Sequence, residues 1–421
     1  MTEITNRETE KAVIVGLCAG SMNPREHSTD ETLDELEALL ETAGGQCVGK
    51  VIQNRHFPDP RTFIGDGKTQ EVRELIEAEG AVLCVFDNEL SPSQTRVLGE
   101  ELGVRVIDRS TLILDIFADR ASTREGRLQV ELAQYKYLLP RLTGMWGHLV
   151  RQTGTSAPIG TRGPGETQLE TDRRHIRRKI QKLEDELDDV MKNRAVARRQ
   201  RLRNEIPVIA LVGYTNAGKS TLFNHLTNAG IHANDRLFDT LDTTTRRAAV
   251  NESADALFSD TVGFIRKLPH HLVDAFRATL EELKFADLIL HVIDASNPEW
   301  ELQQRVTDEL IGELGAAETP RIEVFNKCDL HTDVLPHGEN IVNISAVTGY
   351  GLDTLRSKIE DILGLGIHRV TLSVPYAKSG LVDELYRAGL VTEINYLDDA
   401  TEISAALDAR SLSKYKEYIK A

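Results

Sequence analysis

Apolar positions along the chain recur with two periods, and the order of those periods divides it. From about residue 11 to 120, short apolar runs alternate with amphipathic helical patterns. Ala12-Val13-Ile14-Val15-Gly16-Leu17, Ala81-Val82-Leu83-Cys84-Val85-Phe86 and Val104-Arg105-Val106-Ile107-Asp108 read as buried strands, while Leu33, Leu36, Leu39 and Leu40 mark one helical face. A small α/β domain over 1–120 is expected. Ile64-Gly65-Asp66-Gly67-Lys68 lacks the four-residue spacer of a phosphate loop and reads as a strand-to-helix turn.

Residues 121–205 change character. Leu128, Leu132, Tyr135, Leu138, Leu139 and Leu142 predict one long helix, which Pro140 should bend or end near its C-terminal end. A glycine-rich connector runs from Gly144 to Gly163-Pro164-Gly165. Beyond it, Ile176, Ile180, Leu183, Leu187 and Val190 follow the 4-3-4-3 spacing of a heptad seam. Together they predict a helical hairpin projecting from the body.

In 206–365, apolar runs at 208–212, 256–259, 288–293, 322–325 and 341–344 alternate with helical patterns such as 271–284. That alternation predicts a mostly parallel sheet with helices on both faces. The remainder, 366–421, reads as a small α+β domain: a strand marked by Val370, Leu372 and Val374, a helix at 381–388, strands at 390–396 and 401–406, and a helix at 411–419.

A length of 421 residues fits about three domains, and the opening Met1-Thr2-Glu3-Ile4-Thr5-Asn6 lacks a signal-peptide core. No apolar run approaches a membrane span, and the four cysteines form no C-x-x-C pair, so a soluble protein of a reduced, cytoplasmic setting is expected. Net charge is −16, yet Arg173 to Arg203 carries twelve Lys/Arg against five Asp/Glu. Whole-chain charge hides such a footprint. On charge alone this segment reads equally as an RNA-binding face or a solvated helix face with i,i+4 ion pairs. The connector adds Arg151 and Arg162 with no acidic residue, together with Trp146 and His148, a composition able to stack on RNA.

One stretch carries the chemistry. After the apolar strand Val208-Ile209-Ala210-Leu211-Val212 comes Gly213-Tyr214-Thr215-Asn216-Ala217-Gly218-Lys219-Ser220, followed by Thr221 and the helical positions Leu222, Phe223 and Leu226. Strand, G-x-x-x-x-G-K-S loop and helix make a phosphate-binding P-loop, whose backbone N–H groups cradle an anion at a helix N-terminus. Lys219 should reach the β- and γ-phosphates and Ser220 should ligate Mg²⁺. Asp260-Thr261-Val262-Gly263 ends a strand where an Asp holds the Mg²⁺ shell and the Gly263 N–H senses the γ-phosphate. Asn326-Lys327-Cys328-Asp329 ends a later strand; Asp329 can accept from guanine N1–H and its 2-amino group, donors that adenine lacks. Ser345-Ala346-Val347 follows the last strand and should bring a backbone N–H to the guanine O6. This order of motifs is the signature of a GTPase, with GTP and GDP as ligands.

Phe238-Asp239-Thr240-Leu241-Asp242-Thr243-Thr244-Thr245-Arg246 lies between the P-loop and Asp260. One of its threonines should complete the Mg²⁺ shell in the GTP state, and spacing does not choose among them. Phe264 stands where a glutamine would orient the attacking water, so intrinsic hydrolysis should be slow; the side chain should pack beside Ile265 and Leu268. The Asn216 side chain either holds a monovalent cation, K⁺, against the phosphates or stabilises the loop. His270 and His271 read as exposed loop residues.

Three stretches closely resemble the HflX family of ribosome-associated GTPases: the P-loop string 213–220, Asp260 through His270, and Arg162-Gly163-Pro164-Gly165-Glu166-Thr167-Gln168-Leu169-Glu170-Thr171-Asp172. Ile107-Asp108-Arg109, Leu112 through Phe117 and Gly126 through Gln134 resemble it too, so the likeness spans roughly 10–365. The resemblance implies that Thr240 is the Mg²⁺ threonine; Thr243 stands where many members carry proline. It implies that the protein binds the large ribosomal subunit when GTP-loaded and splits stalled ribosomes under stress; a monomer is expected. The hairpin would then meet rRNA through Arg151, Arg162, Arg173, Arg174, Arg177 and Arg178. Some members bind ATP through the N-terminal domain, although 1–120 holds no Walker-type loop here. The last 55 residues resemble the ferredoxin-like domain of longer members. Alternative readings are a nucleotide-gated rRNA adaptor for ribosome assembly or storage, and an Era- or Obg-like GTPase, which the hairpin argues against.

Overall fold

The computed structural model describes residues 9–145, 164–203, 206–230, 237–238, 244–251, 254–268, 272, 281–331, 334–365, 368–387, 391–397, 399–407 and 414–420. At the N-terminus, β1 (Lys11–Ala19), β2 (Gln46–Arg55), β3 (Leu83–Phe86) and β4 (Arg105–Asp108) form a parallel sheet in the order β2-β1-β3-β4. Its centre is the wholly buried run Ala12–Val15. The pattern of the chain does not announce β2: as an edge strand it keeps only Val51 buried, so its apolar signal is thin. Helices α1 (Asp30–Thr42), α2 (Asp66–Glu79), α3 (Pro92–Leu102) and α4 (Arg109–Arg120) cover this sheet. Reciprocal caps open α1 (Thr29 with Thr32) and α3 (Ser91 with Gln94, before Pro92), satisfying N–H groups that a helix start leaves free. Gly65 is the N-cap of α2, and the segment before it is closed by an Asp59–Phe63 bridge rather than a strand.

The hairpin consists of α5 (Arg124–Met145) and α6 (Pro164–Arg203); the connector between them lies outside the described residues. Leu128 and Leu132 interlock with Leu183 and Leu187, flanked by Tyr135 and Ile180, as the heptad spacing requires. Of the two outcomes expected at Pro140, ending is excluded: α5 continues to Met145. Tertiary contacts hold the helix on both sides of it: Tyr137 Oη donates to Asp108 Oδ1 at 2.7 Å, and Arg141 donates to Leu90 O at 3.0 Å while stacking 3.4 Å over the Tyr137 ring. Nor does α5 project freely, because Val130 and Ala133 enter the core shared with α1 and α4. The cross-hairpin pairs Lys136–Glu184 and Lys179–Glu131 are part-exposed or exposed and contribute little.

The central sheet contains β5 (Val208–Gly213), β6 (Thr244–Ala249), β7 (Asp255–Asp260), β8 (Leu288–Asp294), β9 (Arg321–Asn326) and β10 (Ile341–Asn343), ordered β10-β9-β8-β5-β7-β6. Only β6 runs antiparallel to its neighbour. Helices α7 (Lys219–Thr227), α8 (Trp300–Glu313) and α9 (Leu352–Leu363) pack on it. Of the helix expected at 271–284, most lies outside the described residues, and Glu281–Phe285 is a 3₁₀ turn.

The C-terminal unit has β11 (His368–Pro375), α10 (Gly380–Arg387), β12 (Val391–Tyr396) and β13 (Ala400–Leu407), an antiparallel sheet ordered β11-β13-β12. In place of the helix expected at 411–419 there is a 3₁₀ turn at Lys416–Tyr418, while 411–413 lie outside the described residues. Ile419 bridges Leu372, and the Lys420 N–H donates to Thr371 O at 2.8 Å. Pairing with β11 requires extended backbone, which a helix running to 419 would not supply. Among the described residues, no helix is long and apolar enough to cross a membrane.

Candidate active site

The motif-bearing loops converge at the carboxyl ends of β5, β7, β8 and β9, where ligands of open α/β sheets bind. Strand β5 is an apolar rod, buried from Ile209 to Val212, and it delivers the P-loop to the N-terminus of α7. Gly218 has φ +90°, and a Cβ there would lie 2.1 Å from Asn326 Nδ2, so only glycine fits. Asn326 uses both ends of its amide: Nδ2 donates to Ala217 O at 2.9 Å, and Oδ1 accepts the Ala346 N–H at 2.9 Å. One side chain thereby fastens the P-loop to the Ser345-Ala346 loop. Asn326→Ala should weaken GTP and ATP binding alike, by about tenfold for two hydrogen bonds lost. Equilibrium titration with both nucleotides checks this.

Lys219 is buried; its Nζ donates to Tyr214 O at 2.7 Å, and burial lowers its pKa to about 8 against the pull of Asp260. Ser220 Oγ donates to Asp260 Oδ2 at 2.8 Å, with Asp260 fully buried at the end of β7. A hydroxyl beside a carboxylate is a hard-oxygen donor pair, the chemistry Mg²⁺ requires. When bound, the metal would neutralise charge on the β- and γ-phosphate oxygens. Thr240, with Asp239, Leu241 and Asp242, lies outside the described residues.

In the Asn326–Asp329 loop, Lys327 takes positive φ and its Nζ pairs with Asp294 Oδ2 at 2.7 Å. Asp294 ends β8 and belongs to no motif, so the sequence carried no signal for it. The Cys328 N–H donates to Ile344 O at 3.2 Å, and Asp329 is exposed. Ser345 and Ala346 are buried, whereas Val347 is exposed. Some motif side chains are used inside the protein. Thr261 Oγ1 donates to Leu211 O at 2.6 Å, Val262 is in the core, and Phe238 packs edge-on against Phe117 of α4 with centroids 4.7 Å apart.

The segment after Asp260 is zipped onto the P-loop. The Thr215 N–H donates to Phe264 O at 2.7 Å and the Phe264 N–H to Gly213 O at 3.1 Å. The Phe264 ring is buried with Ile265 and Leu272, with Leu268 against them, so it faces the core. Gly263 presses on the loop: a Cβ there would stand 2.9 Å from Thr215 Cγ2 and 3.0 Å from Lys219 Nζ.

From here a buried polar network crosses to the N-terminal domain. Tyr214 Oη accepts the Arg266 N–H at 2.7 Å and donates to Glu35 of α1. Arg109 pairs with Glu35 and, at 2.9 Å, with Asp87; Lys267 also pairs with Asp87. Burial alone would raise the Asp87 carboxyl, but Arg109 and Lys267 outweigh it and hold it below the ordinary range. Burial lowers the Lys267 ammonium despite Asp87.

The GTP-binding GTPase N-terminal family matches residues 30–118, the GTP-binding GTPase middle region 120–201, and the 50S ribosome-binding GTPase family 208–327. The GTPase HflX of Caldanaerobacter subterraneus subsp. tengcongensis is 44% identical over 414 residues, covering 98% of this chain and 94% of its own. That of Escherichia coli is 44% identical over 364 residues, covering 85% of each chain. A solved GTP-binding protein from the archaeon Sulfolobus solfataricus, in complex with GDP, aligns at 25% identity and TM-score 0.44 over 84% of this chain and 99% of that one. Identity of this order across almost the whole length, with the three family matches, makes the chain a member of the HflX family of GTPases.

Proposed function

We propose that the GTP-loaded protein, a cytoplasmic monomer, binds the large ribosomal subunit, splits stalled or idle ribosomes under stress, and leaves when GTP is hydrolysed. The start of α6 carries this reading. Arg174, Arg177 and Arg178 are exposed there beside half-buried Arg173, while Ile176 is buried and Ile180 packs on the α5 seam. Four guanidinium groups on a braced helix suit rRNA phosphates. The 50S ribosome-binding family match over 208–327 supports the same partner. Arg151 and Arg162 lie outside the described residues and join this surface on sequence grounds alone.

Cosedimentation with separated subunits tests the proposal: large subunits should pellet the protein with a GTP analogue and release it with GDP. Equal pelleting in both states would sink it. Replacing Arg173, Arg174, Arg177 and Arg178 with Ala should weaken binding and flatten its log–log salt dependence by ~0.7–0.9 per lost phosphate contact. An unchanged slope would remove the surface from the interface.

In the pocket, Ser220 and Thr240 are the proposed Mg²⁺ ligands, with Asp260 acting through water. Asn216, exposed at positive φ on the loop apex, is the proposed K⁺ ligand. Hydrolysis should then run faster in KCl than in NaCl, by up to the ~10²–10³ of one transition-state donor. Identical rates would eliminate the cation. A second reading, a nucleotide-gated rRNA adaptor with incidental hydrolysis, is favoured by the burial of Phe264 in the core. It predicts little stimulation of GTP turnover by large subunits.

A further inference from the structure

Resting on the pocket being a GTP site, we infer that the N-terminal domain holds Lys267 as its ligand and reads the bound nucleotide through it. In the sheet β2-β1-β3-β4, the order of strands reverses between β1 and β3. Open parallel sheets bind ligands at such a reversal, outside the carboxyl ends of the strands. Two loops meet there: the Ser28 N–H donates to Leu17 O at 3.1 Å, and the Leu17 N–H donates to Asn88 Oδ1 at 3.0 Å. Asp87, 1% exposed, accepts from Ser28 Oγ at 2.6 Å, Thr32 Oγ1 at 2.9 Å and Arg109 at 2.9 Å. Lys267 of the central domain completes the group, donating to Asp87 and standing 3.4 Å from Ser28 Oγ.

Charge explains the fit. Asp87 and Glu35 bring two negative charges to this cluster and Arg109 brings one positive, which leaves one negative charge for the Lys267 ammonium to balance. That balance suits a cation and opposes a phosphate. Lys267 is tightly held: its side chain is 9% exposed, and its φ of +53° lies in the left-handed region that lysine rarely enters. Such backbone persists where the surroundings enforce it, often in switch segments. The path to the pocket is short. Lys267 is four residues from Gly263, whose N–H is the expected γ-phosphate contact. Between them Phe264 bridges Tyr214, and the Arg266 N–H donates to Tyr214 Oη at 2.7 Å; that same Oη donates to Glu35 of the cluster. These bonds join segment and P-loop into one piece, so a nucleotide that displaces the segment must also pull on the buried ammonium.

Full-length protein in Mg²⁺ with GMPPNP or GDP tests this, through the rate at which an acetylating reagent modifies each lysine, read by peptide mass spectrometry. In one nucleotide state Lys267 should react about tenfold slower than exposed Lys192. Its rate should differ by about fivefold or more between the two states, while that of Lys192 stays the same. Linkage requires the converse: Lys267→Met, which keeps an apolar stem and removes the charge, should change the GMPPNP-to-GDP affinity ratio by about fivefold or more. Structural damage alone would lower both affinities alike. Glu309→Gln, which breaks the exposed Arg25 pair between the same two domains, should leave the ratio unchanged. The assignment is overturned if Lys267 reacts equally in both states, or if the methionine variant keeps the wild-type ratio. Should that variant not fold, labelling of the wild-type protein decides alone. Failure of the underlying reading looks different: wild-type protein would bind ATP as tightly as GTP, and labelling with AMPPNP and ADP would still decide Lys267.

Discussion

Asp329→Asn should abolish most of the preference for GTP over ATP, a change on the order of 10⁴ in relative affinity. The carboxylate is exposed, and the loop that carries it is fixed by Asn326 rather than by Asp329 itself. Neutralising it therefore changes the chemistry presented to the base and leaves the loop in place. Guanine offers two donors, which a carboxylate accepts; an amide offers one donor and one acceptor. Xanthine, with a carbonyl in place of the 2-amino group, matches that amide, so xanthosine triphosphate should bind the variant better than GTP does. Competition titrations with the three nucleotides measure this. An unchanged GTP-to-ATP ratio would show that the base is read elsewhere.

The second large effect concerns stability. Asp87→Asn should destabilise the protein by about 3–5 kcal/mol, because Arg109 and Lys267 would stay buried with their shared carboxylate gone. Glu309→Gln, which breaks the exposed pair with Arg25, is the control and should cost about 0–1 kcal/mol. Urea melts should show a lower midpoint at unchanged slope for the first variant and little movement for the second. Equal shifts would mean the buried cluster is solvated enough to tolerate neutralisation. The native Asp87 carboxyl titrates below its unfolded value, so its contribution is present at neutral pH and fades as pH falls through the acid range. The same substitution takes the charged partner from Lys267, which follows the segment bonded to the P-loop.

What could be read in the sequence was whatever is decided locally. Lys219, Ser220, Asp260, Asn326 and Asp329 declare themselves because phosphate, metal and guanine each demand one residue type at one offset from a strand end. Leu183 and Leu187 declare themselves through heptad spacing. Other features depend on partners distant in the chain. Tyr214 meets Glu35 across 179 positions and Lys267 meets Asp87 across 180, and neither distance leaves a trace in periodicity. Strand β2 is hidden by its place at a sheet edge, and the continuation of α5 past Pro140 is hidden because propensity is local whereas the anchoring of Tyr137 and Arg141 on Asp108 is not.

The pairing of Ile419 and Lys420 with β11 has a consequence for handling the protein. Those two residues shield the outer margin of a small antiparallel sheet, whose backbone would otherwise stand open to any strand that drifts past. Trimming the chain before Lys416, or fusing a bulky tag that pries the tail loose, would bare a self-templating margin. Concentrated samples would then form edge-to-edge oligomers while the central sheet stayed whole.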